Sequence, residues 1–207
     1  MPTTLRKLLP METDTFTLDE KGRTRWKRNE EIAEKLKQLG DFLIIGGYEE
    51  SHATRYGRLA YTISRYPLSV VDLYQEGRLN AIEGIGDTIA GIVGELLETG
   101  TCRKWTQWAR HTPPTVLELT AIPGLGAKTI RTLYQEHGID SLNALHQALA
   151  DHRLDRVKGL GAKTLETMRQ SLAGRPGFHA LESRSGRASA RTHTRAQNNS
   201  EDLVLVF

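Results

Sequence analysis

Two lysines that each follow a pair of glycines are the residues of this 207-residue chain best suited to chemistry. The hexapeptide Gly-Leu-Gly-Ala-Lys-Thr occurs at 124–129 and again, letter for letter, at 159–164, and a looser relative, EGIGDTIA, occupies 83–90. Each copy precedes a helix-like pattern. The N-terminal amides of a helix lack intrahelical partners and carry the positive end of its dipole, so they can bind an anion. Lys128 and Lys163 would add charge at such a site.

The repeated Gly-hydrophobic-Gly unit predicts a tight turn between two short helices. Glycine permits backbone angles and close approaches that a side chain forbids, and the middle residue can pack between the helices. No strand pattern precedes the glycines, which excludes a dinucleotide-binding or P-loop site. The anion expected for a basic protein of this kind is a nucleic-acid phosphate. The predicted DNA-binding residues are Gly84, Ile85, Gly86, Thr88, Gly124, Leu125, Gly126, Lys128, Thr129, Gly159, Leu160, Gly161, Lys163 and Thr164.

The elements that must position these turns are all predicted to be helices. Asn29 is expected to cap the first helix, in which Ile32, Leu36 and Leu39 share one face. No alternating run rich in Val, Ile and Thr appears, so strands are not expected. We predict an all-α fold in four parts. These are a flexible lead-in (1–28), a helical domain with the first turn (29–110), a domain with the other two turns (115–174) and a disordered Arg-rich tail (175–207).

The basic charge of the chain lies mainly at its two ends. The net charge is +3 and the pI about 9.0. Residues 175–200 hold five arginines and one glutamate, whereas residues 29–174 carry a small net negative charge. A single cysteine, Cys102, excludes an internal disulfide and indicates a reducing compartment, either cytoplasm or nucleoid and nucleus. A mitochondrial presequence at the N-terminus stays an alternative. No apolar run approaches the length of a membrane span.

The order of motifs over 29–174 resembles the N-terminal region of family X DNA polymerases, especially the bacterial type. The stretches that carry the resemblance are RYGRLAYTISRYPLSV, then LNAIEGIGDTIAGIVGELLETGTCRKW, then the IPGLGAKTIRTLY and VKGLGAKT motifs, which look like helix-hairpin-helix motifs. The resemblance implies a lyase-like four-helix domain that grips the 5′-phosphate at a DNA gap. It implies that tandem helix-hairpin-helix motifs hold the DNA backbone, and that carbonyls of one turn can bind Na⁺ or K⁺.

Two departures from the family argue against catalysis. The polymerase palm with its catalytic aspartates is missing, so we expect no nucleotidyl transfer unless the chain is a fragment of a longer polymerase. Ile92 stands where the family's Schiff-base lysine lies, and isoleucine offers no amine to attack a sugar aldehyde. The family's phosphate-pocket lysines fall at His52 and Thr88, while its pocket tyrosine is matched by Tyr56. The resulting 5′-phosphate pocket is His52, Tyr56 and Arg58.

The sequence therefore predicts a non-catalytic protein that binds DNA without reading its base sequence. Its expected substrate is gapped, nicked or branched DNA, in repair or replication. No cofactor is expected to be required, and no metal centre is expected. Two alternatives remain open. One is a deoxyribose-phosphate lyase that uses another amine, such as Lys104, and the other is an RNA- or ribosome-associated protein. The terminal peptide DLVLVF resembles peptides that bind the sliding clamp, which makes Leu203, Leu205 and Phe207 candidates for a protein contact.

Overall fold

The computed structural model describes residues 14–175 together with 177 and 178. The predicted all-α fold is confirmed, apart from one small sheet. In the described part of the chain, no helix is long and apolar enough to cross a membrane. The elements are β1 (Phe16–Leu18), β2 (Thr24–Trp26), α1 (Lys27–Gly46), α2 (Glu50–Ser64), α3 (Val70–Gln75), a 3₁₀ helix (Leu79–Ala81), α4 (Asp87–Thr99), α5 (Arg103–Trp108), a second 3₁₀ helix (Pro114–Ala121), α6 (Ala127–His137), α7 (Leu142–Ala150) and α8 (Ala162–Ala173).

The expectation that strands are absent and that residues up to 28 are loosely ordered was wrong for residues 14–28. β1 and β2 pair antiparallel, with Phe16 opposite Trp26, and their rings lie 5.0 Å apart. The Asp19 carboxylate holds the turn between them, because it accepts hydrogen bonds from the amides of Lys21 and Arg23, both at 3.0 Å. A side chain thus stabilises a turn that joins strands of only three residues each, too short to show as an alternating run.

Asn29 does not cap the first helix, which begins at Lys27. Its side chain is fully buried, and its Oδ1 accepts a hydrogen bond of 2.7 Å from the amide of Val70 at the start of α3. Its Nδ2 donates to three carbonyl oxygens at 3.0–3.4 Å, those of Ile63, Tyr66 and Leu68. Asn29 therefore fastens the α2–α3 connection to the start of α1, a role that depends on tertiary structure and not on helix capping.

Helix α1 takes part in two hydrophobic cores. The first core is built from side chains between residues 32 and 102. The second is built from side chains between 116 and 178 together with two side chains of α1. Phe42 and Ile45 of α1 are fully buried in the second core, although their neighbours Leu39 and Leu43 belong to the first. Trp105 of α5 stacks on Phe42 with 4.9 Å between ring centroids. The two halves of the molecule are thus packed on opposite sides of one helix.

Helix α1 ends in close contact with the segment that follows α5. A Cβ placed on Gly46 would lie 2.8 Å from Oγ1 of Thr112 and 2.9 Å from Cε3 of Trp108, closer than such atoms approach in folded proteins. Thr112 is itself buried. Gly46 is therefore required by the packing between α1 and the connection to the second core.

We expect Gly46→Ala to lower the free energy of unfolding by about 1–3 kcal/mol, because overpacking forces neighbouring groups to move. Gly91→Ala in α4 is the matched control, since a Cβ there meets no atom within 4 Å. It should be neutral or stabilising by up to about 1 kcal/mol, as alanine favours a helix over glycine. Urea unfolding followed by circular dichroism measures both. Equal stability of the two variants would contradict the close approach at Gly46.

Candidate nucleic-acid interface

The three glycine turns, at residues 82–86, 122–126 and 157–161, have the same backbone geometry. Their first glycines, Gly84, Gly124 and Gly159, have φ angles of 85°, 83° and 92°. In this left-handed region a side chain would crowd the backbone, so glycine is required for the chain to reverse. All three turns deliver the chain into a helix, α4, α6 and α8 in order. The three sequence repeats thus fold into three turns of the same structure, as predicted.

The middle residue of each turn points into a core, as the sequence predicted. Ile85, Leu125 and Leu160 have only 4%, 6% and 7% of their surface exposed. The amide of each donates a hydrogen bond of 3.1 Å to the carbonyl three residues earlier, which belongs to Ile82, Ile122 and Val157 respectively. The buried side chain and this hydrogen bond fix the direction in which the following helix leaves the turn.

Among the residues that the structure describes, none packs against the second glycines. Gly86, Gly126 and Gly161 have φ angles of −91°, −83° and −79°, which any residue can adopt, and a Cβ on each would meet no atom within 4 Å. They occupy the N-cap positions of α4, α6 and α8, and none of these helices has a side-chain cap. The N-terminal amides are therefore uncovered, as an anion site requires.

The predicted lysines differ in their surroundings. Lys128 and Lys163 are both exposed, but the Nζ of Lys128 lies 2.6 Å from a carboxylate oxygen of Glu50 on α2. Lys163 makes no ion pair with the described residues. Thr88, Thr129 and Thr164, the polar residues that the sequence placed beside the glycines, lie in the opening residues of the same three helices.

A third lysine, Lys158, was missed by the sequence reasoning. It lies with Lys128 and Thr129 along a crevice of about 170 Å³ between α6 and the third turn. The available signal was the residue directly before the first glycine, which is Lys158 in the third turn but Glu83 and Pro123 in the others. The crevice brings basic groups of the second and third turns to one surface.

A separate cleft of about 760 Å³ opens between α2, the first glycine turn and α5. The three predicted pocket residues, His52, Tyr56 and Arg58, all line it. Further lining groups come from the α1–α2 connection, α2, the first turn, α4 and α5, and they include Tyr48, Arg55, Glu83, Gly84, Thr88 and Lys104. Four of the lining side chains can carry positive charge and one is acidic, so the cleft is suited to an anionic group.

Two contacts define the chemistry of the cleft. Lys104 Nζ donates a hydrogen bond of 3.1 Å to the hydroxyl of Tyr48 and lies 4.2 Å from the centre of its ring. Burial raises the pKa of the Tyr56 phenol, so that it stays protonated at neutral pH and can donate a hydrogen bond. Ile92 is buried in the first core and is absent from the lining. The amine of the cleft is thus supplied by Lys104.

The predicted tail begins later than residue 175. Arg175 donates a hydrogen bond of 3.2 Å to the carbonyl of Ala121, and Phe178 is buried in the second core beside His146. The rest of the predicted tail, including Leu203, Leu205 and Phe207, lies outside the described residues. Its order and its proposed protein contact stay predictions, as does a monovalent cation at a turn.

Comparison with known families identifies a helix-hairpin-helix domain in one part of the chain. Residues 116–173 match the family described as SAM-like Helix-hairpin-helix tandem. No curated protein matches the chain. The match covers the second and third turns, whereas the first turn shares their geometry outside it. The resemblance to family X polymerases stays a prediction from sequence motifs.

The two glycines of a turn should respond differently to substitution. We expect Gly124→Ala to lower the free energy of unfolding by about 1–2 kcal/mol, because a Cβ is unfavourable at a φ of 83°. Gly126→Ala should cost less, about 0.5 kcal/mol, since its backbone is ordinary and the space before it is open, and alanine is only a poorer N-cap than glycine. Thermal unfolding of the pair tests this. A loss at Gly126 equal to that at Gly124 would show that both glycines serve the fold.

Proposed function

We propose that this protein binds DNA through the phosphate backbone, without reading sequence and without catalysis. The observation that carries the proposal is the set of three equivalent turns, each of which leaves the N-terminus of a helix uncapped at the surface. Helix-hairpin-helix domains generally bind DNA, and residues 116–173 match such a domain. Phosphate contacts fix the position of a protein on DNA but carry no base information.

The proposed contacts use backbone and side-chain donors together. The amides that open α6 and α8 donate to phosphate oxygens, and Gly126 and Gly161 allow the phosphate to approach them closely. Lys128 and Lys163 add charge, and Lys158 extends the basic surface along the crevice. Preorganised amides cost no side-chain entropy on binding, which favours this arrangement over flexible lysines alone.

We further propose that the cleft receives a terminal 5′-phosphate, with His52, Tyr56 and Arg58 as donors and Arg55 beside them. A terminal 5′-phosphate occurs only where a strand begins, as it does at a gap or a nick. The cleft would therefore give a preference for gapped or nicked DNA, and for branched DNA that carries such an end, over a duplex without one. Such DNA arises during repair and replication, which is the setting we propose. The cleft and the second turn would then contact different segments of one substrate.

Loss of one lysine should weaken binding to every DNA sequence alike. We expect Lys128→Ala and Lys163→Ala each to reduce the slope of log affinity against log salt by about 0.9 on duplex DNA, as one released counterion requires. Their effects should be nearly additive. Gly126→Ala should also weaken binding, although it costs little stability. Fluorescence anisotropy over a salt series measures these values.

The control for this series is Lys27→Ala. Lys27 is exposed at the far end of α1, whereas α6 packs against the C-terminal part of that helix. This variant should keep the affinity and the salt slope of the unsubstituted protein. Losses that depend on base sequence, or no loss in the Lys128 and Lys163 double variant, would contradict phosphate binding by the turns.

A lyase is the second candidate function, and the position of Lys104 in the cleft is the observation that favours it. A lysine amine beside a phosphate site could form a Schiff base with the sugar aldehyde of an incised abasic end. Because the hydrogen bond to Tyr48 engages this amine, we expect no borohydride-trapped adduct with the unsubstituted protein. An adduct that disappears in Lys104→Ala would establish the lyase and overturn the non-catalytic proposal.

A further inference from the structure

The N-terminus of α2 separates the cleft from the second glycine turn. Glu49 caps this helix and Glu50 begins it. One turn further on, the same helix places His52 and Arg55 in the cleft. On its other side, Glu50 reaches Lys128 of α6 at 2.6 Å. Two carboxylates thus lie between the two surfaces that are proposed to hold phosphates.

Their position is fixed by packing and not by a flexible connection. Phe42 and Ile45 of α1 are buried against the second core, just ahead of the α1–α2 connection. The side-chain amide of Gln135 on α6 donates to the carbonyl of Ile45 at 3.4 Å and passes close to Gly47. Because α6 is docked on α1 in this way, Lys128 is held near Glu50.

The carboxylates also make this helix N-terminus unlike those that follow the glycine turns. The Glu49 side chain accepts a hydrogen bond of 3.1 Å from the amide of Ser51, so it occupies a donor that a phosphate would use. Hydrogen bonds from Ser51 hold the pKa of Glu49 below its usual range, and the carboxylate stays charged at neutral pH. A phosphate placed here would meet two negative charges and an occupied amide.

We propose that Glu49 and Glu50 determine the preference for broken DNA by excluding a continuous phosphate backbone from the path between the cleft and the second turn. This inference rests on the proposed DNA-binding function. An unbroken strand that joined the two sites would have to carry phosphates past both carboxylates. A strand that ends in the cleft places no phosphate beside Glu50, so it avoids the repulsion there. Its terminal phosphate lies near Glu49, whose carboxylate contacts Nδ1 of His52 at 2.6 Å.

The test compares an intact duplex with the same duplex that carries a one-nucleotide gap and a 5′-phosphate. Affinities of the full chain and of Glu49→Gln, Glu50→Gln and the double variant are measured by anisotropy at low salt. Removal of a unit charge at contact distance should strengthen binding to the intact duplex by about fivefold. In Glu50→Gln, binding to the gapped duplex should gain less than about twofold, because no phosphate passes this carboxylate. The preference ratio of this variant should therefore fall. Glu49→Gln should strengthen binding to both duplexes, because Glu49 contacts His52 of the cleft at 2.6 Å.

The matched control is Glu31→Gln. Glu31 pairs with Arg28 at 2.6 Å, the same distance as the Glu50 pair, but near the opposite end of α1, about 20 Å away along the helix. This variant should leave both affinities unchanged. Glu50→Gln retains the Glu49 cap, so it remains informative if loss of that cap destabilises α2, and thermal unfolding of each variant detects such a loss.

The outcomes separate this inference from the function on which it rests. If Glu50→Gln gains equally on both duplexes, Glu50 merely neutralises Lys128, and the proposed selection is wrong although DNA binding stands. Equal affinity of the unsubstituted protein for the two duplexes also overturns the selection. Absence of salt-dependent binding to either duplex overturns the proposed function itself, and the inference falls with it.

Discussion

The packing of α1 between two cores is the constraint on which the rest of the structure depends. Leu39 and Leu43 occupy the first core, and Phe42 and Ile45 occupy the second, although these residues are neighbours in one helix. Steps of 100° per residue direct such neighbours to different sides of a helix. A rigid helix that serves both cores holds the cleft and the second turn in one arrangement. If either core moved away from α1, the α1 side chains buried in that core would be exposed to water.

Glycines make this arrangement close enough to work. A Cβ on Gly40 would lie 3.1 Å from the carbonyl oxygen of Ala53, where α1 crosses α2, and Gly46 faces still tighter contacts. The glycine turns use the residue differently. There, Gly124 supplies a backbone conformation and Gly126 supplies open space before the helix amides. Glycine therefore serves three purposes: close packing of helices, reversal of the chain and open space before a helix N-terminus. Only the last of these concerns the surface of the protein and not its interior.

The sequence was informative wherever a local pattern dictates the local structure. The turns were predictable because the same triplet, glycine, hydrophobic residue and glycine, occurs three times in the chain. The spacing of hydrophobic residues located the helices on either side of each triplet.

The β-hairpin was missed because the Asp19 side chain, and not a long alternating run, stabilises it. The role of Asn29 and the pairing of Lys128 with Glu50 were also missed, since their partners are distant in sequence. Resemblance to a family suggested the pocket of His52, Tyr56 and Arg58, and the four-residue spacing of His52 and Tyr56 also places them on one face of α2.

Electrostatics explains why the geometry of the turns matters more than total charge. Acidic residues outnumber basic ones over 29–174, so this part of the chain as a whole exerts no net attraction on a polyanion at long range. If residues 29–174 bind DNA as proposed, their affinity must come from short-range contacts in which donors already point toward the phosphate. Such contacts depend on the position of each phosphate and not merely on how many are present. Under the proposed function, such a surface would distinguish DNA by the path of its backbone, because a phosphate displaced from an uncapped helix N-terminus toward Glu49 or Glu50 would exchange attraction for repulsion.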